Sequence, residues 1–166
     1  MKSSVVKKVL MALAVMVAVV VMFSVTAFAE DYGNFSYTPV NPENEGDFEP
    51  YIVINSYNLS DDATETVVEI PAEIEDVPVT EIGASAFNGR DTLTEVIIPD
   101  SVKTISNAAF ANCKGLKIVI VPDSVEYIGD SAFQGCDALE YVVLGNGLKT
   151  MGSLAFKDCK ALKALD

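Results

Sequence analysis

A 23-residue step runs through the second half of this chain and leaves few folds open. Ile82, Ile105, Ile128 and Met151 keep that spacing, as do Phe87, Phe110, Phe133 and Phe156, each preceded by Ala. Leu93, Leu116, Leu139 and Leu162 follow the same interval, and so do Val102, Val125 and Leu148. Cys113, Cys136 and Cys159 form a further column, with Arg90 in its first place. Pro99 and Pro122 recur, with Gly145 as the third member. One unit carries roughly six apolar side chains, too few to bury alone, whereas stacked units share one continuous core.

Within a unit, Leu93-Thr-Glu-Val96-Ile97-Ile98-Pro99 reads as a short strand ended by Pro, which cannot donate to a ladder. Asp100-Ser101 turns the chain, and Val102 to Ile105 is a second short extended piece. Ser106 to Asn112, centred on Ala108-Ala109-Phe110, reads as one or two helical turns with the Phe pointing inward. Successive strands are predicted to pair in parallel, about 4.8 Å apart.

The pattern Leu-x-x-Val-x-Ile-Pro-x-Ser-Val-x-x-Ile-Gly-x-x-Ala-Phe-x-x-Cys resembles the bacterial surface-antigen (BspA-like) type of leucine-rich repeat. The resemblance is clearest from Cys113 to Ile128 and on through Ala132-Phe133 to Cys136. It covers 82–166 as about four repeats, the last truncated. Residues 51–81 look like a capping unit, with Tyr51-Ile-Val-Ile, Val67-Val-Glu-Ile-Pro71 and Val77-Pro-Val-Thr-Glu-Ile-Gly83 as its extended pieces. The fold implied is an α/β-type leucine-rich repeat solenoid, with short parallel strands and one or two helical turns per repeat. The sequence departs from the pattern at Arg90, at Gly145-Asn-Gly147 where Pro is expected, and at Leu154 where small residues are usual. For function, the resemblance implies a non-enzymatic surface protein without a cofactor. It also implies adhesion to host or extracellular-matrix proteins and cell–cell contact.

The first 29 residues read as an export signal. Lys2, Lys7 and Lys8 precede a wholly apolar run from Val9 to Phe23, and Ala27-Phe28-Ala29 is a cleavage site of the small-x-small kind. The expected mature terminus is Glu30, and the expected location is extracellular or on the cell surface. The alternative is an uncleaved anchor, since Val9 to Phe28 could span a bilayer. Residues 30–81 hold 14 acids and no Lys or Arg, whereas 82–166 hold ten acids and eight bases. Residues 30–50, with three Pro and six acids, are expected to be a flexible acidic leader.

A net charge of −13 without any Lys/Arg cluster excludes a nucleic-acid surface. The absence of His removes the usual general base, Ser-His and Cys-His nucleophiles and His-ligated zinc. Asn41-Pro-Glu43-Asn-Glu45-Gly46 fits the start of a calcium loop, but the closing acid would fall at Ile52, so no metal site is expected. The carboxylate neighbours Asp61-Asp62 and Glu75-Asp76, and Glu140, are the remaining candidates for hydrolytic chemistry, and they read better as charged surface. The three thiols could form a redox or metal site. The simpler reading is an inert buried ladder, because no Cys-x-x-Cys pair is present.

Side-chain alternation makes the strand faces informative. If Leu93, Val96 and Ile98 point inward, Glu95 and Ile97 point outward, followed by Ile118 and Ile120, then Tyr141 and Val143. Such a contiguous apolar strip is a candidate surface for an extracellular protein partner. β-Branched residues also simply suit parallel strands. The second functional alternative is self-association through a strand edge at the C-terminal end, because open solenoid ends expose unpaired strands.

Overall fold

The computed structural model describes residues 30–40, 49–58 and 66–166. The export segment, the 41–48 stretch with the calcium-loop pattern and Asp61-Asp62 lie outside them. The chain first forms β1 (Glu30–Tyr32), β2 (Phe35–Val40) and β3 (Tyr51–Tyr57). Next come β4 (Val67–Glu69), β5 (Glu73–Ile74) and β6 (Val77–Ile82). Each later unit adds two short strands: β7 (Glu95–Ile97) with β8 (Thr104–Ile105), β9 (Ile118–Ile120) with β10 (Tyr127–Ile128), and β11 (Tyr141–Val143) with β12 (Thr150–Met151). The last is β13 (Ala164–Leu165).

These strands make two sheets running along a solenoid. One has the order β1-β2-β3-β6-β8-β10-β12 with β5 attached to β6, and the other β13-β11-β9-β7-β4. The 23-residue step is the pairing register itself. Glu95 lies beside Ile118, Ile118 beside Tyr141 and Tyr141 beside Ala164, all in parallel strands. Likewise Thr104 lies beside Tyr127 and Tyr127 beside Thr150. Stacking starts before Ile82, because β4 pairs in parallel with β7 and β6 with β8.

A third arm closes each coil, and it is not helical. Among the described residues there is no helix, so the expected helical turns are replaced by a run of tight turns. The reason lies in where the amides go. In Ser106–Cys113, N–H groups 109, 111 and 113 donate three residues back, to Ser106, Ala108 and Phe110. The intervening N–H groups of Ala108, Phe110 and Asn112 donate across to the carbonyls of Asp130, Ala132 and Gln134 in the next coil. A helix would aim its amides along its own axis, toward carbonyls four residues back, and leave the coils unjoined. Stacking therefore overrides the helix propensity of Ala108-Ala109-Phe110-Ala111. The same three files continue through Ser85, Phe87 and Gly89 before them and Ser131, Phe133 and Gly135 after them.

This turn geometry needs left-handed backbone at two columns. Ser85, Ala108, Ser131 and Leu154 have φ between 54° and 62°, and Gly89, Asn112, Gly135 and Asp158 between 58° and 73°. Leu154 is the least suited occupant, since a Cβ in this region costs about 1–2 kcal/mol. Its side chain is 56% exposed and loses little burial on truncation. Leu154→Gly is expected to raise unfolding stability by about 0.5–1 kcal/mol. Chemical denaturation checks this, and a destabilised variant would show that Leu154 packs more than it strains.

The core is the set of repeating columns. Phe87, Phe110 and Phe133 are fully buried and stack in file with Phe156, at centroid distances of 4.8, 5.2 and 5.1 Å. Leu93, Leu116 and Leu139, and Ile82, Ile105 and Ile128, are buried beside them. The expected loose leader is corrected over residues 30–40. There β1 and β2 form a hairpin around Gly33-Asn34, with Gly33 at φ 60°, and β2 pairs antiparallel with β3. Phe35 and Tyr37 are buried, and Phe35 meets Tyr57 at 5.0 Å and Phe87 at 6.4 Å. The hairpin thus carries the aromatic file beyond the first coil and covers its end.

Candidate functional site

The outward row of the β13-β11-β9-β7-β4 sheet presents the strip expected from alternation. Val96, Val119 and Val142 are buried beneath it, while Ile97, Ile118, Ile120, Tyr141 and Val143 are exposed by 44% to 59%. Parallel pairing sets Ile97 and Ile120 in one row with Val143, and Glu95 in the other with Ile118 and Tyr141. Between β7 and β9 the surface is concave. A groove of about 330 Å³ is lined by Glu95, Ile97, Asp100, Ile118, Ile120 and Pro122. The structure therefore brings all six strand-face residues onto one surface, and four of them line the groove or its rim.

Electrostatically the strip has two different ends. At the β11 end, the Lys163 ammonium lies 2.6 Å from the Glu140 carboxylate and 5.6 Å from the centre of the Tyr141 ring. The hydrogen bond to Glu140 raises the Lys163 pKa above its ordinary value. At the β7 end, Glu95 and Asp100 are exposed, and neither is in an ion pair among the described residues. Asp100 was missed by the sequence reading, because it belongs to the turn after Pro99 rather than to the strand. Its only signal was its place just after Pro99, three residues beyond the outward Ile97.

The cysteines are elsewhere, under the turn arm. Cys113 and Cys136 are buried, Cys159 is half-buried, and all three are free thiols. Each S–H donates to a carbonyl one coil earlier: Cys113 to Phe87 at 3.0 Å, Cys136 to Phe110 at 3.2 Å and Cys159 to Phe133 at 3.2 Å. Hydrogen bonding with Cys113, together with burial, pushes the Cys136 thiol up. Burial also raises that of Cys159. The same hydrogen bond with Cys136 lowers the Cys113 thiol. Cys136 and Cys159, held protonated and hydrogen-bonded, are poor nucleophiles and poor metal ligands.

The carboxylates occupy structural places. Glu75 and Asp76, with φ of 53° and 64°, form the two-residue turn between β5 and β6, where Glu73 pairs with Pro78 and Ile74 with Val77. Glu140 is held by Lys163 as above. Three further exposed ion pairs join positions one coil apart: Lys114–Asp91 at 3.2 Å, Lys149–Glu126 at 2.7 Å and Lys160–Asp137 at 3.0 Å. The hydrogen bond from Lys149 lowers the Glu126 pKa. Exposed pairs of this kind add little stability individually. Among the described residues no three Cys, Asp or Glu side chains are grouped as metal ligands.

Comparison with known proteins agrees with this architecture. The BspA type leucine rich repeat region matches residues 54–166 in six copies. A leucine-rich repeat protein from Bacteroides capillosus is 27% identical with a TM-score of 0.67, over 82% of this chain and 96% of that one. A T. pallidum leucine rich repeat protein is 26% identical with a TM-score of 0.59, over 82% of this chain and 70% of that one. A leucine rich cell surface protein from Faecalibacterium prausnitzii shares the fold at 18% identity, with a TM-score of 0.55 over 87% of this chain and 42% of that one. No curated protein matches the chain.

Proposed function

Because the chain belongs to the BspA-type leucine-rich repeat family, whose repeats support a binding or surface module rather than a catalyst, we propose that it binds an extracellular protein through its outward strand face. The observation that carries this reading is the continuous exposed row of Ile97, Ile118, Ile120, Tyr141 and Val143 above a fully formed core. Large apolar side chains gain nothing from water, and their alignment on rigid strands offers a partner a preformed surface with little ordering cost. Export is supported by the basic, then apolar, then Ala27-Phe28-Ala29 pattern of the first 29 residues, and in an exported chain this face meets extracellular partners. Adhesion to host or matrix proteins is the role that follows.

The test is solid-phase binding of the exported protein to purified matrix and host-surface proteins. It is run beside the triple variant Ile97→Lys, Ile120→Lys, Val143→Lys. The variant is expected to lose at least tenfold in affinity for whichever protein the wild type binds, with unfolding stability within about 1 kcal/mol. Undiminished binding, or a stability loss of several kcal/mol, would sink the assignment of this face.

A further inference from the structure

We infer that the groove between β7 and β9 takes an extended peptide segment carrying an aliphatic or aromatic side chain beside Lys or Arg. This rests on the face being the binding surface and adds the chemistry of its partner. The floor is apolar, formed by Ile97, Ile118, Ile120 and Pro122, and the rim charges are Glu95 and Asp100. At about 330 Å³, the groove has room for one or two side chains rather than a whole domain. Both rim carboxylates are exposed and outside any ion pair among the described residues, so each is available to a ligand cation. Glu69, exposed on β4 and aligned with Ile97, extends the negative border on the same side. The cations near the strip leave this end acidic. Lys163 is engaged by Glu140 at the far end, and Lys117, just before β9, does not line the groove.

The asymmetry also sets direction. A ligand lying across the strands would place a cationic residue beside Glu95, at the start of β7, or beside Asp100, beyond its end, and its apolar residues toward Ile120, Val143 and Tyr141. The excess of 24 acids over eight bases in residues 30–166 steers basic partners toward the protein in general, and the groove decides where they stop.

Three labelled, capped pentapeptides test this by fluorescence anisotropy: Lys-Leu-Lys-Leu-Gly, the counterpart with Glu for Lys, and the counterpart with Ser for Leu. The full-length protein at low salt is expected to bind the Lys-Leu peptide at least roughly fivefold tighter than either counterpart. The gap to the Glu peptide should narrow in high salt as the charges are screened. In Glu95→Lys, Asp100→Lys the preference between Lys and Glu peptides is expected to reverse. Equal affinity for the two charges, combined with loss of binding in Ile120→Lys, would overturn the cationic class while leaving the face intact. Binding that survives Ile120→Lys would overturn the face as well. No saturable binding of the Lys-Leu peptide at millimolar concentration would overturn this inference directly.

Discussion

Phe133→Ala is expected to cost about 4 kcal/mol of unfolding stability, a large part of what a domain of this size has. Phe133 is fully buried and sits in file between Phe110 at 5.2 Å and Phe156 at 5.1 Å, with nearly parallel rings. Truncation removes its own transfer free energy and both stacking contacts, each worth about 0.5–1.5 kcal/mol beyond burial. The cavity cannot close easily. The neighbouring rings are fixed by backbone bonds from Phe110 to Ala132 and from Phe133 to Ala155. Phe156, half-buried with one ring neighbour among the described residues, should cost about half as much. Urea denaturation measures both. Equal losses for Phe133→Ala and Phe156→Ala would show that the file does not act through burial.

Gly147→Ala is the second large effect expected, about 2–3 kcal/mol, and its cause is crowding rather than dihedral freedom. A Cβ there would lie 1.9 Å from the carbonyl oxygen of Asp123 in the preceding coil. That oxygen is backbone and cannot swing away. A Cβ at Gly145 would also clash, lying 2.4 Å from the carbonyl oxygen of Pro122. Between them the Asn146 N–H donates to the Asp123 carboxylate at 2.8 Å. The loop where Pro gives way to Gly145 is thus drawn onto its neighbour. Gly89→Ala provides the contrast. Nothing lies within 4 Å of its Cβ, but φ is 73°, so the cost should be about 1 kcal/mol. Gly89→Asn should cost less, since Asn112 holds the same column at φ 58°. Thermal unfolding of the three variants separates steric from dihedral effects, and equal shifts for Gly147→Ala and Gly89→Ala would refute the distinction.

The periodic columns were legible because each apolar residue meets its own equivalent one coil away. Period, core and register are therefore one fact. The exposed strip followed from alternation around Val96, Val119 and Val142. Three things were not legible, for different reasons. The turn arm looked helical because Ala108 and Leu154 carry no sign of their left-handed backbone, which inter-coil hydrogen bonding imposes. The hairpin over 30–40 was hidden because its short apolar run carries no 23-residue repeat, and the partners of Phe35, Tyr57 and Phe87, lie far along the chain, as does Ile54 beside Tyr37. The acid rim of the groove combines a strand residue, Glu95, with a turn residue, Asp100, so no single periodicity contains it.

The files of hydrogen bonds that join the coils give the molecule an unusual electrical character. On the turn arm, the files through Ala108, Phe110 and Asn112 point their N–H groups toward later coils. Three others point back: from Gly129 to Ile105, from Glu126 to Lys103 and from Glu140 to Lys117, each repeated in neighbouring coils. Peptide dipoles lined up in one direction sum, as they do in a helix, but opposed columns cancel. These six files, three in each direction, therefore offset one another along the stack, and lengthening the array adds surface without these files adding polarity.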